Sequence, residues 1–123
     1  WAAAVQFVGT IFFNVTTFAA LDETLSVQEQ DVRVWAPDAL GSVCFLVASA
    51  LALAPVSSSR GTDRRIAVWN LVGSVFFGIA AIASWVVPDT GELVNTEATN
   101  AFTFLGGVCF FFGARLLLRP RVR

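Results

Sequence analysis

The stretch IAVWNLVGSVFFGIAAIASWVVP (66–88) runs for 23 residues without one charge. About 20 apolar residues at 1.5 Å rise each carry a helix across a 30 Å hydrocarbon core. Segments 2–21 and 39–59 are equally free of charge. Segment 98–114 is uncharged up to Arg115, and Leu116 to Leu118 continue the apolar run beyond it. The long stem of that arginine lets its charge reach the interface. Helices buried in a water-soluble fold are shorter and carry a polar stripe, which these four lack. The reading is all-α: a four-helix transmembrane bundle forming one domain over 1–123, with helices near 2–21, 38–57, 66–87 and 98–118.

Composition narrows the function classes. Of 123 residues, 56% are hydrophobic and 14% charged, too few charges for a free soluble monomer. The net charge of −1 gives no basic surface for nucleic acid. There is no His or Met, the usual axial ligands of haem, and only Cys44 and Cys109 among soft metal ligands. No metal and no cofactor is therefore expected. Two cysteines do not make a secreted disulfide scaffold.

The connections sort by charge. Asp22, Glu23, Glu29, Asp31 and Asp38 face only Arg33 in 22–38, and Asp89, Glu92 and Glu97 stand without a base in 89–97. Arg60, Arg64 and Arg65 dominate 60–65, and Arg115, Arg119, Arg121 and Arg123 fill the tail. Seven of eight arginines thus share one side, which the positive-inside rule makes cytoplasmic, together with both termini. Trp35 and Trp85 fall where an outer aromatic belt is expected. A chain beginning at Trp1 with no Met is expected to have residues upstream. Reading 2–21 as a signal-peptide core is disfavoured, because no small-x-small cleavage site follows.

Aligning the spans exposes a repeat. GTIFF (9–13), GSVCF (41–45), GSVFF (73–77) and GGVCF (106–110) place glycines 32, 32 and 33 residues apart. Three residues before each glycine stands Gln6, Asp38, Asn70 or Thr103. In lipid, apolar side chains gain little by leaving their solvent, so close backbone approach at small residues drives helix association. Gly9, Gly41, Ser42, Gly73, Ser74, Gly78, Gly106 and Gly107 are the expected helix-packing positions. The 22–36 connection, with Leu25, Val27, Val32 and Val34 among acids, suggests a short surface segment within 25–35. Pro37 suits the first turn of helix 2, and Asp38 there would complement the helix dipole. Phe110, Phe111 and Phe112 fan around helix 4 and cannot all face the bundle.

The second half carries a resemblance. IAVWNLVGSVFF (66–77), followed by FLGGVCFFFGARLLLRP (104–120), resembles the YrhK-like domain family of small bacterial membrane proteins. The shared features are Trp69 four residues before a Gly-Ser pair, a second glycine-bearing helix, and an Arg-Pro exit. FFNVTTFAAL (12–21) and VWAPDALGSVCFLVAS (34–49) resemble the upstream part of longer members, less specifically. The resemblance implies a membrane location and a helical fold, and the bacterial cytoplasmic (inner) membrane is the expected location. It supplies no catalytic residues.

Chemistry-bearing residues are few. Cys44 and Cys109 lack a CxxC spacing or a neighbouring base and read as apolar packing groups. Gln6, Asn14, Asp38 and Asn70 are the candidate polar contacts. Asn14 stands where a proton-coupled transporter of this size would carry a titratable Glu. No span holds an ionisable group near its centre, so coupling to protons through a buried acid is not expected, and Asp38 is placed at the interface. The arginine tail is read as a flank near anionic lipid headgroups. The leading expectation is a non-enzymatic membrane protein acting by helix packing, in contact with lipid and either homo-oligomeric or bound to a membrane-protein partner. The alternative is a small transporter or channel subunit with a polar path at Gln6, Asn14 and Asn70.

Overall fold

A computed structural model describes residues 1–118. The elements are α1 (Ala2–Ala19), α2 (Val27–Gln30), α3 (Ala36–Leu53), α4 (Thr62–Ala83) and α5 (Thr96–Leu117). Among the described residues there is no strand, only an isolated antiparallel bridge between Val86 and Leu93. Four helical stretches are long and apolar enough to cross a membrane: Ala2–Ala19, Val27–Val56, Thr62–Ala83 and Thr96–Leu117. Arg119, Arg121 and Arg123, on which the lipid-contact expectation for the tail rests, lie outside the described residues.

Local chemistry sets the helix ends. Asn95 Oδ1 accepts the N–H of Ala98 at 2.8 Å and starts α5. α4 begins at Thr62, four residues before the uncharged run, because the polar turn Thr62 to Arg65 continues the helix beyond its apolar part. It stops at Ala83, short of the expected 87: Ser84 donates from both its N–H (to Ala80 O, 2.9 Å) and its hydroxyl (to Ala81 O, 2.9 Å). The chain then turns away. Ser26 and Glu29 close a reciprocal capping box that starts α2.

The second span departs from the sequence reading. The residues 25–35 do not form a separate surface segment. α2 runs through a π-helical turn (Asp31–Trp35) directly into α3, with Gln30, Trp35 and Ala36 all in right-handed helical conformation. Pro37 explains the wide turn. It has no N–H to donate, and its ring would collide with the carbonyl of Arg33 in a regular helix. Here the N–H of Ala36 reaches back to Asp31 O instead. Pro37 and Asp38 do stand in the first turn of α3, as expected. That turn continues the helical stretch Val27–Val56, and the N–H of Ala36 is already bonded to Asp31 O, so the dipole argument for Asp38 is weakened.

α1 packs on α3, α3 on α4, and α4 on α5. The four pentapeptides meet in the middle. A Cβ added at Gly9 would stand 2.8 Å from the Phe45 ring and 3.1 Å from Gly41 O; one at Gly41 would meet Gly9 O and the Phe13 ring, each at 3.1 Å. The α4–α5 crossing repeats this. A Cβ at Gly73 would meet Gly106 O at 3.0 Å and Phe110 at 3.1 Å, and one at Gly106 would meet Phe77 at 2.5 Å. Each phenylalanine thus lies over the glycine of its partner helix. The same four rings close a central cluster, with centroids 5.1 Å apart for Phe13–Phe45, 5.6 Å for Phe45–Phe110, 5.3 Å for Phe110–Phe77 and 5.7 Å for Phe77–Phe13.

Between α3 and α4 the small residues are hydroxylated. Ser74 Oγ faces Ser49 Oγ (2.8 Å), Phe45 O (3.2 Å) and Asn70 O (2.8 Å), and Ser42 Oγ reaches Phe77 O (3.4 Å). Ala48, Ala67, Ala80 and Ala81 are buried alongside them, whereas Phe7, Phe18, Phe104 and Phe111 are exposed. Apart from the central ring cluster, small residues dominate the helix contacts and large apolar side chains the outer surface, a pattern that suits an apolar solvent. Of the Phe110–Phe112 run, Phe110 joins the cluster, Phe111 faces out, and Phe112 lies beside Trp69 at 5.3 Å.

Candidate functional site

The bundle has two chemically different ends. The 54–61 connection, with Arg60, Arg64, Arg65 and Arg115, marks an arginine end; the 20–26 and 84–95 connections, with Asp22, Glu23, Asp89 and Glu92, mark an acidic end. At the acidic end the helices leave a cleft of about 530 Å³. Phe13 and Phe77 form its floor, so it stands directly on the ring cluster. Thr16 and Thr17 come from α1, Thr99 and Thr103 from α5, and the wall between them from Gln30, Trp35, Asp38 and Ser42.

The 84–95 connection supplies the remaining wall. Val87 donates to Glu92 O (2.8 Å) and Val94 to Trp85 O (2.9 Å), closing a tight loop around Pro88 to Gly91. Gly91 takes φ +69°, a left-handed conformation that other residues adopt at a cost. The bridge holds Val86 and Leu93 against the cleft. Asp31 Oδ1 fastens this loop by accepting the N–H of Val86 at 3.3 Å. Trp35 is fixed as well, its indole N–H donating to Ala81 O at 2.8 Å.

Hydrogen-bond accounting gives the cleft its character. Thr16 donates to Val34 O (2.8 Å), Thr17 to Phe13 O (2.8 Å), Ser84 to Ala81 O (2.9 Å) and Thr99 to Asn95 O (2.8 Å). Gln30 Nε2 donates to Leu25 O at 3.1 Å. Nearly every side-chain proton around the cleft is therefore held by a backbone carbonyl, leaving oxygen lone pairs. Asp38 is half-buried and makes no hydrogen bond or ion pair among the described residues. No arginine lines the cleft.

Of the candidate polar contacts read from the sequence, only Asp38 lines this space. Asn14 is exposed on α1 and its amide donates to Thr10 O of its own helix at 2.8 Å. Gln6 is half-buried on α1, its carbonyl accepting from Thr10 (3.1 Å), and Asn70 lies on α4 with Oδ1 against the backbone of Gly113. The three amides do not come together. Of the packing positions, Gly9, Gly41, Gly73 and Gly106 sit at the two crossings, Ser42 and Ser74 join α3 to α4, and Gly78 touches Leu46 (3.4 Å). Gly107 is at no crossing: nothing lies within 4 Å of a Cβ there. Gly113 is buried, and a Cβ on it would stand 2.8 Å from Asn70 Oδ1, a contact its sequence setting gave no sign of. Cys44 and Cys109 are free thiols, each with its Cβ against the glycine of a neighbouring helix, Gly9 and Gly73 respectively.

The family model for YrhK-like proteins matches residues 28–88. Those residues form a YrhK-like domain. It takes in α3, α4 and most of the π-linked α2, and with them Gln30, Asp38, Ser42, Phe77, Ser84 and Val86 of the cleft. The domain contains both 34–49 and 66–77 but ends before 104–120. The similarity thus centres on the inner helix pair, not on the second half of the chain. α1 and α5 flank the YrhK-like domain and complete its cleft with threonines. No curated protein and no solved structure matches the chain.

Proposed function

We propose that the chain is a multi-pass protein of the bacterial cytoplasmic membrane that binds a small, largely apolar ligand in the cleft and catalyses no reaction. The observation that carries this is the cleft itself. Its volume of about 530 Å³ falls among those of small-molecule sites, roughly 300–1,000 Å³, and it combines aromatic walls with a few placed polar groups. Ser42 donates toward Phe77 O, so the cleft hydroxyl one turn from Asp38 is not paired with it as nucleophile and base, which supports binding over catalysis. The alternative polar path through Gln6, Asn14 and Asn70 loses support, because the three amides stay apart.

The test is saturable binding of 4-phenylbutanol to the protein in nanodiscs, followed by tryptophan fluorescence. Saturation in the wild type and its loss in Thr103→Phe, which fills the cleft from an exposed position, support the proposal. If neither 4-phenylbutanol nor a charged phenylbutyl probe saturates, it is wrong.

Arginine on one end and acids on the other support cytoplasmic termini and a cleft facing outward. A single Cys at Thr90 should react with an impermeant thiol reagent on intact cells; reaction only after lysis reverses the orientation. The reciprocal contacts of the four pentapeptides favour an origin by duplication of a helix or hairpin. A second reading, assembly as a homo-oligomer or on a membrane-protein partner, is favoured by the open Gly107 between the exposed Phe104 and Phe111 on α5. Oxidative cross-linking of Gly107→Cys in membranes would reveal self-association through that face.

A further inference from the structure

We propose that the cleft is a site for a hydrophobic organic cation, a protonated amine or quaternary ammonium carried on an apolar body, with the Asp38 carboxylate as its counter-charge. This rests on the ligand-binding reading above and specifies its chemistry.

Three observations converge. First, Asp38 is an unpartnered carboxylate lining the cleft. It precedes Phe45 by seven residues, about 10 Å along the helix. Placing the ring cluster at the bilayer midplane would put Asp38 about 5 Å inside the hydrocarbon boundary, a depth at which an acid is costly and points to function. Second, the surrounding groups offer almost no hydrogen-bond donor. Thr16, Thr17, Ser42, Ser84, Thr99 and Trp35 all donate to backbone carbonyls, so only Thr103 and the second amide hydrogen of Gln30 are left to greet an anion. Third, Phe13, Phe77 and Trp35 line the cleft, and aromatic rings of this kind attract ammonium groups to their faces.

The wider charge environment agrees. α1 contributes no titratable side chain. Asp31 at the rim adds a second acid, held by Val86. Arg33 is exposed and lines a different groove, with Phe18 and Pro37. Asp63, Arg64 and Arg65 of α4 and Arg115 of α5 are at the opposite end, and Glu97 of α5 is another acid on the cleft side. An ion alone would leave most of the apolar wall uncovered, so the apolar body is part of the recognition.

The experiment compares four probes that share one body: 4-phenylbutylamine, 4-phenylbutyltrimethylammonium, 4-phenylbutanol and 4-phenylbutanoate, titrated on the full chain in nanodiscs with empty nanodiscs subtracted. Both cations should bind roughly tenfold or more tightly than the alcohol, as a charge-assisted contact requires. The carboxylate should bind worst. Asp38→Asn should abolish the preference for cations while leaving the alcohol's affinity unchanged, and Asp38→Glu should keep it. A wild-type affinity for the alcohol equal to that for the cations, or a preference that survives in Asp38→Asn, overturns the cation site and leaves cleft binding standing. Failure of all four probes to saturate overturns both. The wild-type ranking is decisive even if Asp38→Asn does not fold.

Discussion

At the level of Gly9, Gly41, Gly73 and Gly106, two pairs of backbones touch and four phenylalanine rings fill the centre. One to two turns nearer the acidic end, the same four helices stand around about 530 Å³ of open space. Side-chain size and polarity at the facing positions separate the two layers. Glycine opposite phenylalanine lets each helix accept its partner's ring, and the layer closes. Asp38, Thr16 and Thr103 line the next layer without a hydrogen bond to one another, and it stays open. The first arrangement packs the helices; the second leaves the space that the proposed ligand would fill.

The largest effect should come from forcing bulk into the closed layer. Gly106→Leu would drive a side chain into the Phe77 ring and toward Gly73 O. It should cost about 3 kcal/mol or more, read as loss of thermal stability in detergent. Phe112→Leu, at a half-exposed ring beside Trp69, should cost less than about 1 kcal/mol. Equal losses would break the distinction between layers.

In the open layer the sign should reverse. Asp38→Leu removes an unpartnered carboxylate from an apolar setting and should stabilise the empty protein by about 1–2 kcal/mol. That gain would come with loss of cation preference, the signature of a residue kept for function. Destabilisation by Asp38→Leu would mean that the carboxylate holds the fold.

Two small effects sharpen the contrast further. Gly107→Ala, where a Cβ meets open space, should stabilise α5 by up to about 1 kcal/mol through helix propensity. Ser74→Ala, at a fully buried hydroxyl joining α3 to α4, should cost about 0.6 kcal/mol, the usual worth of an interhelical hydrogen bond in a membrane. Both are measured in the same unfolding assay.

The architecture was legible because uncharged runs and the glycine pentapeptides are properties of the chain taken in order. Gly107 departs from the pattern for the same reason: two adjacent glycines look alike in sequence but point about 100° apart, and only Gly106 faces α4. Around Asp38 the proline marks the start of α3 but hides its continuation back to Val27. The π turn that lets Pro37 sit inside a longer helix depends on the backbone of Asp31 and Ala36, which no side-chain pattern announces. The cleft was illegible throughout. Gln6, Asp38, Asn70 and Thr103 occupy equivalent places before the glycines, yet α1 and α4 run opposite to α3 and α5, so only Asp38 and Thr103 fall at the acidic end. Its loop wall is held by the Val86–Leu93 bridge and by the bond from Val86 to Asp31, far away in sequence.

The contrast between a closed and an open layer is tested most directly by thiol reactivity in nanodiscs, where reagent reaches both faces. The account predicts that a single Cys at Thr103, with Cys44 and Cys109 replaced by Ala, reacts readily with a water-soluble cationic methanethiosulfonate and is protected by 4-phenylbutylamine. Cys109, retained alone in the closed layer, should stay unreactive under the same conditions. Comparable reaction at the two positions, or no reaction at Thr103→Cys, would contradict the account.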